Sequence, residues 1–599
     1  MLMKILIFLL LIFVLIGNAQ AEPVKEQEQV IAARKILDPW HESQPEQGDR
    51  FLQVVCWTPS DREFPARYEE RLDTIMKHIQ LFYQTEMERH GFGNRTFNLQ
   101  RNRQGKVVIY SIKGLHPTSH YEKSSGREIR EECLVELKKQ DIDGDKETMV
   151  IFCNLADWNE KTLTFTHNSP YYAGGSNKSG TAWQLDSLEL AIENIKLKEP
   201  MIKDGEYGRI SLGKHNSIFI GGIAHEMGHG FGLPHCAPRP DEQLRGTPLM
   251  GSGNRTYGDE LRGEGRGTIL SLAHAMRLAS HPQFTRSVKG YLDSASVTVS
   301  NLSVETAGKA IQVSGTVKGE PPVYGVVAYF DPDGGGDYNS TTATAVPDSN
   351  GHFEFQTSAL TPGKRGQLRI VPLHCNGALA DSGSLSKLKY SYEVSAQGIP
   401  DVSTIQLRLE LTALLDAIAS GKSSEIERQL RFIKTEKGQR IANRLVGISE
   451  PTGTPGDYSG RQSEVELTSF KPLSVSVGWR NPTFNRIPDP AMLLESNGEI
   501  FETGLYAHAP ARHEYALNKA WKTITGKVGI AAGHDSGTVA FEIQGDGRTL
   551  WQSKTVTSSE LISFDVNVEG VSQLILLTHA TDDGASNDWG LWLGPMLSK

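Results

Sequence analysis

One eleven-residue string constrains this chain more than any other feature: His225-Glu226-Met227-Gly228-His229-Gly230-Phe231-Gly232-Leu233-Pro234-His235, an HExxHxxGxxH pattern. At about 100° per residue, His225 and His229 lie one above the other on a helix, with their imidazoles spaced to share a tetrahedral ion. Ile223, Met227 and Phe231 fall on the opposite side, which predicts a helix with one face in a core and the other toward a cleft. Residue 235 would point elsewhere if that helix stayed straight. Gly232 allows the chain to turn and Pro234 prevents the helix from continuing, so His235 can swing back as a third ligand. Three imidazoles leave a fourth position for water, the donor set of a catalytic zinc site rather than a closed structural one. Glu226 is then placed to act as base toward that water and as acid toward a departing amine. A chance match to the fixed positions is on the order of 10⁻⁴ for a chain of this composition.

The extended motif resembles that of the metzincin metallopeptidases. That resemblance implies a methionine-containing turn beneath the metal, and Met250 in Pro248-Leu249-Met250-Gly251-Ser252 is the candidate. A helix over Thr268 to Ala279 fits the same family. Where some metzincins carry a tyrosine two residues after the methionine, this chain has Ser252, and Tyr257 is too far along to take its place. The family also implies a substrate bound as an extra strand along a sheet edge, for which Gly174 to Leu185 is the expected segment.

At 599 residues the chain is long enough for three to five folded units. Lys4 followed by the apolar run Ile5 to Ile16 and Ala19-Gln20-Ala21 reads as an export signal over residues 1–21, too short for a membrane-spanning helix. A secreted or periplasmic protein without a retained membrane segment is therefore expected. Residues 22–49 form a polar leader or short propeptide. An α+β metzincin-like domain is expected over 50–288, with a helix near Pro65 to His90 carrying Leu72, Ile75, Met76, Ile79 and Phe82. Short alternating runs over 289–398 suggest an Ig-like or fibronectin-like β-sandwich, residues 399–460 a charged helical connector, and 464–599 a second β-sandwich. A net charge of −9 without a basic cluster argues against a nucleic-acid partner.

The five cysteines contain no CxxC pair, and their pairing cannot be read from spacing. Cys236, next to His235, reads as a disulfide partner or buried thiol ahead of a metal thiolate. Asp141, Asp143 and Asp145 alternate as in a calcium loop but lack the closing glutamate, while Asp331, Asp333 and Asp337 form a similar cluster. Structural Ca²⁺ is an alternative to solvated turns at both places.

From Val477-Gly478-Trp479 through Gly504-Leu505-Tyr506-Ala507-His508-Ala509 to Asn587-Asp588-Trp589-Gly590, the C-terminal region resembles the NPCBM carbohydrate-binding module. The resemblance implies glycan binding, with His508, Trp589 and Trp592 as candidate contacts. Pro510 stands where that family usually has a small polar residue. The combined expectation is a zinc endopeptidase acting on glycoproteins or a glycan-rich matrix. The alternatives are a glycan-binding adhesin with a non-catalytic metal domain and a glycoside hydrolase, for which no carboxylate pair is specified.

Overall fold

The computed structural model describes residues 25–46, 48, 50–447, 450–534 and 536–599. The expected export signal lies outside the described residues. No described helix is long and apolar enough to cross a membrane. The chain divides into two compact units, one containing residues up to 400 and the other 401–599, with 303–305 and 390–392 belonging to the second.

In the first unit, residues 25–42, within the expected polar leader or short propeptide, form a helix, α1. Val30, Ala33 and Leu37 recur at helical spacing and are fully buried, so the polar composition hid an apolar stripe. Glu26 on this helix pairs with Arg239 at 2.7 Å and with Arg245 at 3.3 Å, just beyond the third histidine of the motif.

A five-stranded sheet follows. Its central strands Gln53–Thr58 (β1) and Thr148–Cys153 (β3) are buried along their whole length, as apolar runs covered on both faces should be. Ile109–Lys113 (β2) lies parallel to β1. Tyr172–Gly175 (β4) forms the antiparallel edge beside Gly180–Leu185 (β5), which runs parallel to β3. The expected Gly174 to Leu185 edge segment is thus mostly interior, and the open edge belongs to β4. Helix α2, Tyr68–His90, buries Leu72, Ile75, Met76 and Ile79 and ends at Gly91, whose φ of 94° closes the helix. Helix α3, Gly126–Lys138, lies between β2 and β3 in sequence. Helix α4, Leu212–Gly230, is capped by the Ser211 hydroxyl on the Lys214 N–H and carries the first two histidines of the motif. Leu272–Ala279 forms helix α5.

The β-sandwich segment pairs Ala310–Glu320 (β6) with His352–Thr357 (β9), and sets Val323–Pro332 (β7) between Thr341–Ala345 (β8) and Arg365–His374 (β10). It is not packed as a separate bead. Tyr324, Val327, Tyr329 and Leu373 share one core with Met276 and Leu278 of α5. The Tyr324 hydroxyl donates to the main-chain carbonyl of Met276.

In the second unit, Ser403–Ser420 (α6), Ser423–Leu430 (α7) and Glu436–Val446 (α8) occupy the expected connector. Leu411, Leu414 and Ile441 share a core with Leu493 and Ile500, so these helices cap the C-terminal fold rather than span a gap. That fold sets two antiparallel sheets around Val528, Phe541, Phe564, Leu576 and Trp592.

Candidate metal centre

The buried face of α4 includes almost every residue of the helix, His225 and Glu226 among them, while His229 near its C-terminal end is half-buried. Tyr83 of α2 anchors the helix by donating to the Ala224 carbonyl at 2.8 Å. At the C-terminal end, Leu233 N–H bonds the Gly228 carbonyl at 3.0 Å and Gly232 adopts φ 83°. This left-handed turn, open to glycine without a Cβ clash, brings His235 back over His229. Ring nitrogens of His225, His229 and His235 then lie within 4.8 Å of one another.

The tautomers follow from the partners. His225 Nδ1 meets the Leu249 carbonyl at 2.6 Å, His229 Nδ1 the Leu233 carbonyl at 2.8 Å, and His235 Nδ1 an Asp337 carboxylate oxygen at 2.7 Å. An oxygen acceptor on each Nδ1 makes that atom the donor and leaves a lone pair on each Nε2. The Nε2 atoms of His229 and His235 stand 2.9 Å apart, so two lone pairs face each other. A cation between the rings resolves that repulsion. Three neutral imidazoles with hydrogen-bonded outer nitrogens fit zinc by donor type and by support. Burial, with His229 adding to it, holds the His225 ring down to about 3, which keeps it neutral. Burial likewise lowers His229.

Glu226 is 7% exposed, and burial pushes its carboxyl up to about 8. Among the described residues it has no hydrogen-bond partner, so a nearby divalent cation is what would restore its charge. Met250 is fully buried beneath the helix: a Cβ placed on Gly228 would stand 2.3 Å from its sulfur. Tyr257 packs against Phe82 at 5.2 Å and His78 at 5.7 Å, away from the role that Ser252 leaves unfilled.

Asp337 and Tyr338 escaped the sequence reading as parts of this site. Asp337 had been grouped with Asp331 and Asp333 as a calcium candidate; instead it pairs with His235, while Asp331 meets Arg369 at 3.3 Å. Tyr338 stacks on His235 with ring centroids 3.6 Å apart. In the other acidic cluster, Asp143 pairs with Lys146 and Asp145 with Arg130, both at 2.8 Å. All five cysteines are buried free thiols, and Cys236 lies 3.7 Å from His274 Nδ1. A cleft of about 310 Å³ opens beside His229, bordered by Gly174, Gly175, Pro234, Arg277 and Tyr329.

The C-terminal fold has a second cleft, of about 410 Å³, lined by Trp479, His508, Pro510, Asn587 and Trp589. Trp479 is 57% exposed, whereas Trp592 is fully buried in the core and cannot offer a face to a ligand. Trp589 is 8% exposed and stacks on His534 at 4.1 Å. His508 Nδ1 meets the Ala509 carbonyl at 2.9 Å. Residues 463–598 match the NPCBM/NEW2 domain. Trp479, at the mouth of this NPCBM cleft, was part of the recognised pattern but not among the candidate sugar contacts.

No curated protein matches the chain. Among solved structures, wild-type OgpA from Akkermansia muciniphila is 25% identical, with 58% of this chain and 94% of that one covered and a TM-score of 0.48. The M60 catalytic domain with CBM51 domains of Clostridium perfringens ZmpB is 13% identical, covering 65% and 40%, with a TM-score of 0.24. The CBM51 of Clostridium perfringens GH95 in complex with methyl-galactose is 21% identical, covering 22% of this chain and 99% of that one, with a TM-score of 0.22.

Proposed function

We propose that the chain is a secreted zinc endopeptidase of metzincin type, directed to glycoproteins or a glycan-rich matrix by its NPCBM module. The observation that carries this reading is the convergence of three Nε2 lone pairs beside a buried carboxyl on the residue after the first ligand. When bound, zinc would supply Lewis acidity, lowering the pKa of a bound water to about 7 and polarising a carbonyl. His225, His229 and His235 hold the ion, each kept in one tautomer by its outer hydrogen bond. Glu226 takes a proton from the attacking water and passes it to the amine nitrogen as the peptide C–N bond breaks. Met250 supports the helix from below.

The substrate backbone extends the sheet along β4. That edge borders the cleft beside His229, and Gly174 leaves open space where a side chain would stand, with nothing within 4 Å of its Cβ position. Such an edge accommodates a chain with a bulky substituent. The NPCBM module raises the local concentration of enzyme near glycans without selecting the bond that is cut.

The test is to incubate purified full-length protein with a mixed glycoprotein sample, before and after enzymatic deglycosylation, and to sequence the new termini. New amino termini should appear, vanish with chelator and return with zinc. Their absence refutes the peptidase, and release of reducing sugar insensitive to chelator would make it a glycoside hydrolase. Equal cleavage before and after deglycosylation refutes glycan targeting.

A further inference from the structure

The third histidine differs from the other two in what supports it. His225 and His229 each lean on a main-chain carbonyl close to α4. His235 leans on a carboxylate 102 residues away, in the loop between β7 and β8 of the sandwich. The loop is shaped for this approach: Gly334, Gly335 and Gly336 take φ values of 88°, 87° and 62°, a left-handed succession that residues with a Cβ avoid. Asp337 then engages His235 twice, through Nδ1 at 2.7 Å and through the main-chain N–H at 3.3 Å. One side chain thus fixes both the ring and the backbone of a single ligand. The next residue, Tyr338, lays its ring on His235 at 3.6 Å and nearly parallel to His225, at 6.5 Å and 9°. It is 49% exposed, and its hydroxyl has no hydrogen-bond partner among the described residues.

We infer that this sandwich loop is a working part of the metal centre: Asp337 is the positioning residue for His235, and Tyr338 offers its hydroxyl to the substrate carbonyl. The inference rests on the zinc peptidase reading. A charged acceptor holds an imidazole more strongly than a carbonyl does and makes its other nitrogen a better donor to a metal. A phenol on the rim of the site can donate to the carbonyl oxygen as negative charge develops there. It would supply from another layer the phenol that is absent where Ser252 stands after Met250.

Zinc affinity measured by competition with a fluorescent chelator separates these roles from structure alone. In the full-length protein, Asp337→Asn should weaken zinc about 10- to 100-fold and alter the visible absorption of the cobalt-substituted form. Asp331→Asn, in strand β7 just before that loop, should leave both unchanged. Tyr338→Phe should bind zinc as the wild type does and lose about 100-fold in kcat with KM unchanged. Melting curves establish that each variant is folded, and Asp337→Glu provides a second variant that should recover part of the zinc affinity. Wild-type affinity in a folded Asp337→Asn protein overturns the Asp337 role, and full kcat in Tyr338→Phe overturns the Tyr338 role. If the wild type itself binds no zinc, the underlying metal reading fails instead.

Discussion

The β4–β5 hairpin sits so close to the end of α4 that three glycines on it should respond differently to the same substitution. A Cβ on Gly175 or on Gly180 would stand 2.0 Å from the Gly230 carbonyl oxygen, against about 3.4 Å for ordinary contact. Gly174, on the same strand, has nothing within 4 Å. In Gly180→Ala the clash is with backbone, so no rotamer change relieves it. Either the hairpin or the last turn of α4 must shift by about 1 Å, with an overpacking cost of about 1–3 kcal/mol. The shift also loosens the β3–β5 ladder, where Gly180 faces Thr148, at about 1 kcal/mol for each net hydrogen bond lost. A total of about 3 kcal/mol corresponds to a fall in Tm of about 4 °C in a unit of this size. Gly174→Ala should melt with the wild type or slightly above it, since alanine costs less conformational entropy than glycine. Calorimetry of the full-length protein reads both values. If Gly180→Ala melts within about 1 °C of Gly174→Ala, the close approach of hairpin and helix does not constrain the fold and the argument fails.

Glu226→Gln should keep stoichiometric zinc and lower kcat by about 10²- to 10⁴-fold; a loss of zinc in metal analysis would instead make the residue a ligand. His513 is fully buried with neither ring nitrogen partnered among the described residues, and burial lowers its pKa from 6.5 to about 4. The unfolded chain therefore takes the proton first as pH falls: this stability is complete above pH 6.5, is lost toward pH 4, and amounts to about 3 kcal/mol. His513→Leu should flatten the decline in Tm between pH 7 and pH 4.5, and an unchanged slope would refute the assignment. Trp479→Ala should weaken glycan binding about 10-fold, through loss of an exposed aromatic face, and leave cleavage of a short unglycosylated peptide unaltered. Calorimetric titration with a glycan panel and a peptide assay check the two halves.

What could be read from the sequence was local. The HExxHxxGxxH string specifies helix, hinge and third histidine within eleven residues, and the turn around Met250 follows soon after. Asp337 and Tyr338 lie about a hundred positions away, joined to the site only by packing, and a cluster of aspartates there looked like cation chemistry of its own. Helix α1 was missed because charged and amide residues outnumber Val30, Ala33 and Leu37, although their spacing carried the signal. The same composition effect made α6 to α8 look like a connector, when Leu411, Leu414 and Ile441 form a buried stripe. Trp592 misled in the opposite direction. Aromatic residues serve cores and sugar platforms equally well, and Leu591, Trp592 and Leu593 are all buried in one strand, so alternation could not tell which face looked outward.

The common core under the histidine-bearing layers and the sandwich makes the two interdependent. Tyr324, Val327, Tyr329 and Leu373 close over residues of α5, so exchanging the sandwich for an unrelated domain would strip the cover from that interior. The C-terminal tail closes its own interior around Phe541, Phe564 and Trp592. Each interior answers to its own layers: a change in the sandwich is felt under α5, and a change around Phe541 is felt within the C-terminal fold.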